Sequence, residues 1–231
     1  MTRFGRISLG VGGCLLMVAT WYGAGAEPAK ADAEKDKTKW KAVFDGKSLT
    51  GWKSANFGGE GEVTVKDGTI LMEKGNDMTG VTYSRADFPK MDYEVTLEGK
   101  KLKGGDFFCT TTFPVGEAHC SLVVGGWGGS VVGLSSINSL DASENETTKN
   151  LTFKEDQWYK VRIRVTKDRI EAWIDKDQVV DAVTKGKKIS IRAECELSKP
   201  FGVATWRTTG AVRDIKVREL TAEEKKAAEK K

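Results

Sequence analysis

The 231 residues carry 37 Lys and Arg against 33 Asp and Glu, a formal net charge of only +4, which favours no partner that demands a strongly charged surface. No basic cluster interleaved with aromatics is present, so nucleic-acid binding is excluded as a reading. The sequence also lacks a zinc motif, a phosphate loop, a dinucleotide fingerprint and a nucleophile elbow.

The N-terminus reads as a secretory signal over residues 1–26. Arg3 and Arg6 supply a positive start, Ile7 to Tyr22 an apolar stretch, and Ala24-Gly25-Ala26 a small-residue cleavage site. Gly10, Gly12 and Gly13 interrupt the apolar run, which falls short of the roughly 20 apolar residues a spanning helix needs. The expectation is therefore an exported chain, periplasmic or secreted, with no membrane association after cleavage. Residues 27–39 alternate acid and base as a charged linker, residues 40–220 are long enough for one domain, and residues 221–231 form a charged, helix-favouring tail.

From Trp40 to Leu220 the periodicity is that of strands. Short runs rich in Val, Ile, Thr, Tyr and Trp are separated by Gly, Asp, Asn and Lys. Asp67-Gly68 between two such runs is a two-residue hairpin signal, since both residues tolerate positive φ. Val161, Ile163 and Val165 alternate with Arg162 and Arg164, which gives one core face and one wet face. Further strands fit Tyr93 to Leu97, Ile170 to Ile174, Gln178 to Val183, Ile189 to Ala193, Phe201 to Trp206 and Val212 to Glu219. Many short strands with turn signals between them predict an all-β sandwich. Trp52, Trp158 and Trp173 fall in apolar-periodic strands and are read as core.

The central hairpin is the most informative stretch. Phe107 to Thr112 and Glu117 to Val124 can pair across Phe113-Pro114-Val115-Gly116. That register sets Cys109 opposite Cys120 and predicts a disulfide between them, with Cys195 left free, because an exported chain can oxidise such a pair. The same register sorts Phe107, Cys109, Cys120, Leu122 and Val124 onto an apolar face. Asp106, Phe108, Thr110, Glu117, His119 and Ser121 fall on a polar one. Such a face offers a sugar both directional hydrogen bonds and a ring to stack on.

Trp127 stands among Gly125, Gly126, Gly128 and Gly129, where a large ring has little core to enter and suits ligand contact. The polar stretch Ser135 to Asn150 reads as a long surface loop near the site. It offers Glu144 and Asn145 to a substrate, and Asp141 or Glu144 as oxygen ligands to a divalent cation. Asn145-Glu146-Thr147 and Asn150-Leu151-Thr152 match glycosylation acceptors.

Three stretches resemble the 3-keto-disaccharide hydrolase domain family, relatives of concanavalin-like lectins and glucanases. They are Val43-Phe44-Asp45-Gly46-Lys47-Ser48-Leu49-Thr50-Gly51-Trp52, the pair Gln157 to Ile163 and Ile170 to Asp175, and Ala211 to Leu220. The resemblance implies a jelly-roll β-sandwich of two antiparallel sheets and a carbohydrate or glycoside substrate. It also implies cleavage of glycosides oxidised at C3, by elimination and then hydration. In such a site His119 would serve as base or metal ligand, Asp106 or Glu117 as its partner, and Phe108, Thr110 and Trp127 as substrate contacts. The middle of the chain departs from the family, at Gly104 to Thr110 and at His119 to Trp127. The alternative reading is accordingly a non-catalytic carbohydrate-binding module, and a third is a structural adhesion domain.

Overall fold

The computed structural model describes residues 1, 2 and 38–229. The expected signal peptide and charged linker fall almost wholly outside these residues. Two antiparallel sheets face each other. The first contains β1 (Lys41–Ala42), β3 (Val63–Lys66), β4 (Thr69–Met72), β6 (Tyr93–Gly104), β11 (Trp158–Thr166), β12 (Arg169–Ile174), β13 (Asp177–Val183) and β15 (Thr208–Glu219). Its order is β13-β12-β11-β6-β15-β4-β3, with β1 paired to β15. The second contains β2 (Trp52–Ser54), β5 (Met78–Tyr83), β7 (Thr110–Val115), β8 (Ala118–Gly125), β9 (Val131–Ser135), β10 (Lys149–Asn150) and β14 (Gly202–Trp206), ordered β10-β9-β8-β7-β14-β5-β2. A terminal helix, α1, spans Ala222–Glu229. Among the described residues no helix is long and apolar enough to cross a membrane.

Local chemistry explains the turns. Asp67 and Gly68 take φ of 50° and 75°, the left-handed pair that closes β3 onto β4 with Lys66 opposite Thr69. On β11, Val161, Ile163 and Val165 are fully buried between the sheets, while Arg162 and Arg164 face outward. The interior is aromatic: Phe88 stacks on Phe201 at 4.2 Å between centroids, and Trp52, Tyr83 and Tyr93 meet this group edge-on. Trp52 is core as its strand pattern predicts. Trp158 and Trp173 are not. They lie half-buried on the outer face of the first sheet, under the guanidinium groups of Arg213 (4.0 Å) and Arg162 (3.7 Å).

The central hairpin has a different register from the one the turn residues suggest. Phe113 pairs with Cys120 and Val115 with Ala118, so the chain reverses at Gly116-Glu117 and not at Pro114. Burying Phe113 completely in the core outweighs the turn preference of the proline that follows it. Phe108 N–H donates to Val124 O at 3.4 Å, which sets Cys109 four residues along β8 from Cys120. That offset is about 13 Å along a strand, whereas a disulfide needs Cα atoms within about 7 Å. Cys109 and Cys120 are therefore free, buried thiols, and Cys195 is free as well.

Alternation also fails at the entry to β7. Phe108 and Cys109 are adjacent in sequence and both completely buried in the core. A bend lets both turn inward over Gly99 on β6, where an added Cβ would lie 2.5 Å from Cys109 Sγ. Phe108 then packs on Phe153 and Tyr159. It is a core residue, and Phe107 takes the outward position assigned to it.

Candidate functional site

A cleft of about 220 Å³ lies on the outer face of the second sheet. Its floor is the outward side of three adjacent strands: Thr110 of β7, Ser121 and Val123 of β8, and Ser135 of β9. Its walls are apolar. Phe107 and Trp206 approach with ring centroids 6.2 Å apart, and Met78 and Trp127 complete the rim. Arg192, Glu194 and Asp106 provide the charged lining, and Cys195 closes one side.

Trp127 owes its position to a strained turn. Its φ of 47° places a bulky residue in the left-handed region, between Gly125 at φ 80° and Gly128 at φ 86°, and the side chain remains 44% exposed. Asp106 holds this turn in place. One carboxylate oxygen accepts the Gly128 N–H at 3.1 Å and the other accepts the Phe107 N–H at 2.8 Å, so Asp106 ties both aromatic walls together.

The polar end is built from residues distant in sequence. Asp141 Oδ1 accepts hydrogen bonds from the hydroxyls of Ser135 (2.9 Å) and Ser136 (3.0 Å), and Oδ2 accepts from Arg192 Nη1 at 2.6 Å. Arg192 Nε and Nη2 donate to Glu194 at 3.3 and 2.9 Å. The guanidinium is thus fixed on two sides, with three of its five N–H groups engaged and two left for a ligand. Its contacts with Glu194 and Asp141 hold Arg192 in the charged form and push the Glu194 carboxyl below its usual range. Burial pushes the Cys195 thiol up, so it is a poor nucleophile here.

The expected catalytic trio is not brought together. Asp106 lines this cleft, whereas Glu117 lies at the exposed hairpin tip paired to Lys90 at 3.0 Å, and His119 lines a different cavity beside it. Among the expected substrate contacts, Thr110 and Trp127 line the cleft. Glu144 is exposed on the loop and does not line it. Asn145 is buried and organises that loop: Nδ2 donates to the carbonyls of Leu134 (2.7 Å), Asp141 (2.8 Å) and Leu140 (3.1 Å), and Oδ1 accepts from Thr147. The nitrogen that glycosylation would modify is therefore committed to the fold. Among the described residues no group of three or more His, Cys, Asp or Glu side chains could hold a metal ion. Asp141, offered as a cation ligand, has both oxygens committed to Ser135, Ser136 and Arg192.

Sequence reasoning missed Phe107, Arg192, Glu194 and Trp206. Arg192 was placed at the end of a strand. In fact Ala193–Ser198 forms a 3₁₀ strap across the sheet face, with Thr82 Oγ1 donating to Leu197 O at 2.6 Å. Residues 189–198 alternate apolar and polar without a break, as a strand would, and the one local signal against a strand is Lys199-Pro200 at its end.

A two-sheet antiparallel sandwich with an aromatic-walled, partly polar cleft on one sheet defines a concanavalin-like carbohydrate-active domain. More particularly, the chain belongs to the 3-keto-α-glucoside-1,2-lyase-like domain family, which matches residues 39–218. Similar solved structures share the fold at low identity. The Crh5 transglycosylase bound to NAG superposes with a TM-score of 0.56 at 12% identity, covering 80% of this chain and 86% of its own. The carbohydrate recognition domain of Emp46p gives 0.52 at 10%, covering 79% and 99%. A prokaryotic β-1,3-1,4-glucanase (lichenase) derived from a mouse hindgut metagenome gives 0.52 at 11%, also covering 79% and 99%. No curated protein sequence matches the chain significantly.

Proposed function

We propose that the protein is an exported enzyme that cleaves 3-keto-glycosides in this cleft, with Arg192 as electrophile and Glu194 as base. The observation that carries the reading is the guanidinium clamped by Asp141 and Glu194 at the charged side of an aromatic cleft. A sugar ring would stack against Trp127 and the Phe107–Trp206 wall, with its C3 carbonyl accepting the two free N–H groups of Arg192. Glu194, held as a carboxylate, takes the C2 proton. The electron pair moves to the C3 oxygen as an enolate, stabilised by the fixed charge. Collapse of the enolate restores the C3 carbonyl, forms the C1–C2 double bond and expels the C1 substituent, whose oxygen takes back the proton held by Glu194. Addition of water across that bond completes an overall hydrolysis.

One observation favours a second reading, a non-catalytic sugar-binding module: every carboxylate at the cleft already accepts hydrogen bonds from the protein. Aglycone release from a panel of 3-keto-glucosides, with and without divalent cations, separates the two. The enzyme reading expects turnover that falls about 10²–10⁴-fold in Glu194→Gln, the range of a lost general base. Absence of release from every substrate, with sugar binding retained, would overturn catalysis in favour of the module.

A further inference from the structure

A second cavity, of about 270 Å³, opens on the same sheet face beyond the 3₁₀ strap, and its lining includes Arg85, Lys90, Pro114, Glu117, His119 and Pro200. Among the described residues the charges around it do not balance. Lys90 is paired with Glu117, and Lys199, which faces His119 from the strap's end, is paired with Glu196. Arg85 is exposed and makes no hydrogen bond or ion pair with any described residue, so its guanidinium is the surplus charge. The His119 imidazole, half-buried and lining the same cavity, likewise has no hydrogen-bond partner among the described residues. Pro114 and Pro200 supply apolar surface next to these donors.

We propose that this cavity is a binding site for an acidic sugar, whose carboxylate or sulfate is held by Arg85 and His119 while the ring lies on Pro114 and Pro200. The chemistry follows from what is left unpaired. A planar guanidinium with free donors matches a planar or tetrahedral oxyanion, and the imidazole adds a second, directional donor. A neutral sugar would leave the surplus charge uncompensated. The site is independent of the cleft chemistry proposed above. It stands at the other end of the β7–β8 hairpin and uses no residue of the cleft.

Burial lowers the His119 pKa, and Lys199 and Lys90 add to that, against smaller opposing contributions from Glu196 and Glu117. A bound anion reverses the balance and favours the imidazolium. His119 is the only histidine in the chain, so its ring proton resonances report this site alone. The test is an NMR pH titration of His119 in the purified protein with glucuronate, glucose 6-sulfate, inorganic sulfate, glucose, or sodium chloride at matched ionic strength. Glucuronate or glucose 6-sulfate should move the midpoint upward by about one pH unit, the order expected for an opposite charge at contact distance. Glucose should leave it in place, and Arg85→Gln, a change at an exposed side chain, should abolish the response. An identical midpoint in all solutions, an undiminished response in Arg85→Gln, or a response to inorganic sulfate without one to either sugar acid would each overturn the proposal.

Discussion

Replacing Trp127 with glycine separates a ligand-contacting role from a packing role, because the two predict effects of different kind. The ring is 44% exposed, which for a side chain of about 250 Å² leaves about 100 Å² open toward the cleft. A stacked sugar covering half of that, with an equal area of its own, removes about 100 Å² from water, worth about 2.5 kcal/mol or roughly a 70-fold change in Kd. Stability moves little. Relief of the left-handed strain returns about 1 kcal/mol, and the added backbone freedom of glycine in the unfolded chain costs about 0.5–1 kcal/mol. Calorimetric titration with methyl 3-keto-glucoside, alongside urea unfolding, reads both quantities. A variant destabilised by more than about 2 kcal/mol with unchanged affinity would refute the reasoning and return Trp127 to the fold.

The helix α1 is tied down by Glu224, whose carboxyl is lowered to about 2 chiefly by its hydrogen bonds to Arg218. A depressed folded-state value means that stabilisation is present above the ordinary value of 4.5 and is lost as pH falls toward 2. Urea midpoints of the native protein and Glu224→Gln, measured from pH 7 to pH 2, should accordingly differ by about 1 kcal/mol at neutral pH and converge in acid, the magnitude being discounted for partial exposure. The three described thiols supply a separate check. Cys109 and Cys120 are fully buried, and burial lifts the Cys120 pKa to about 12, so non-reducing mass spectrometry should find no internal bridge and a thiol reagent should react with these two only after unfolding.

Much of the sandwich was legible because its strands obey period two and its tightest turn has the residues that positive φ requires. Parity also reaches the tryptophan at the head of β11. Trp158 shares parity with Arg162 and Arg164, so the alternation that buries Val161 and Ile163 already turns Trp158 outward. What was not legible depended on contacts between distant segments. Phe108 and Cys109 leave the alternation because Gly99, on another strand, opens space for both of them. The reversal at Gly116 is decided by the burial of Phe113, which no turn propensity encodes. The clamp joins Asp141 to Arg192 across fifty-one positions, and each residue alone reads as a solvated charge. His119 lies on the strand face that alternation assigns to it, but at a different position along that face from the cleft. Ser121, two residues further along β8, lines the cleft, and His119 lies beyond the strap.

That strap has a consequence for the shape of anything resting on the sheet. Ser121 and His119 project from one strand about 7 Å apart, closer than the length of two linked sugar rings. Without the segment from Ala193 to Ser198 between them, the two hollows would join into one trough running along the hairpin. With it, the trough becomes two stalls, each closed at the shared wall. Anything lying along the hairpin from one stall toward the other would meet that wall.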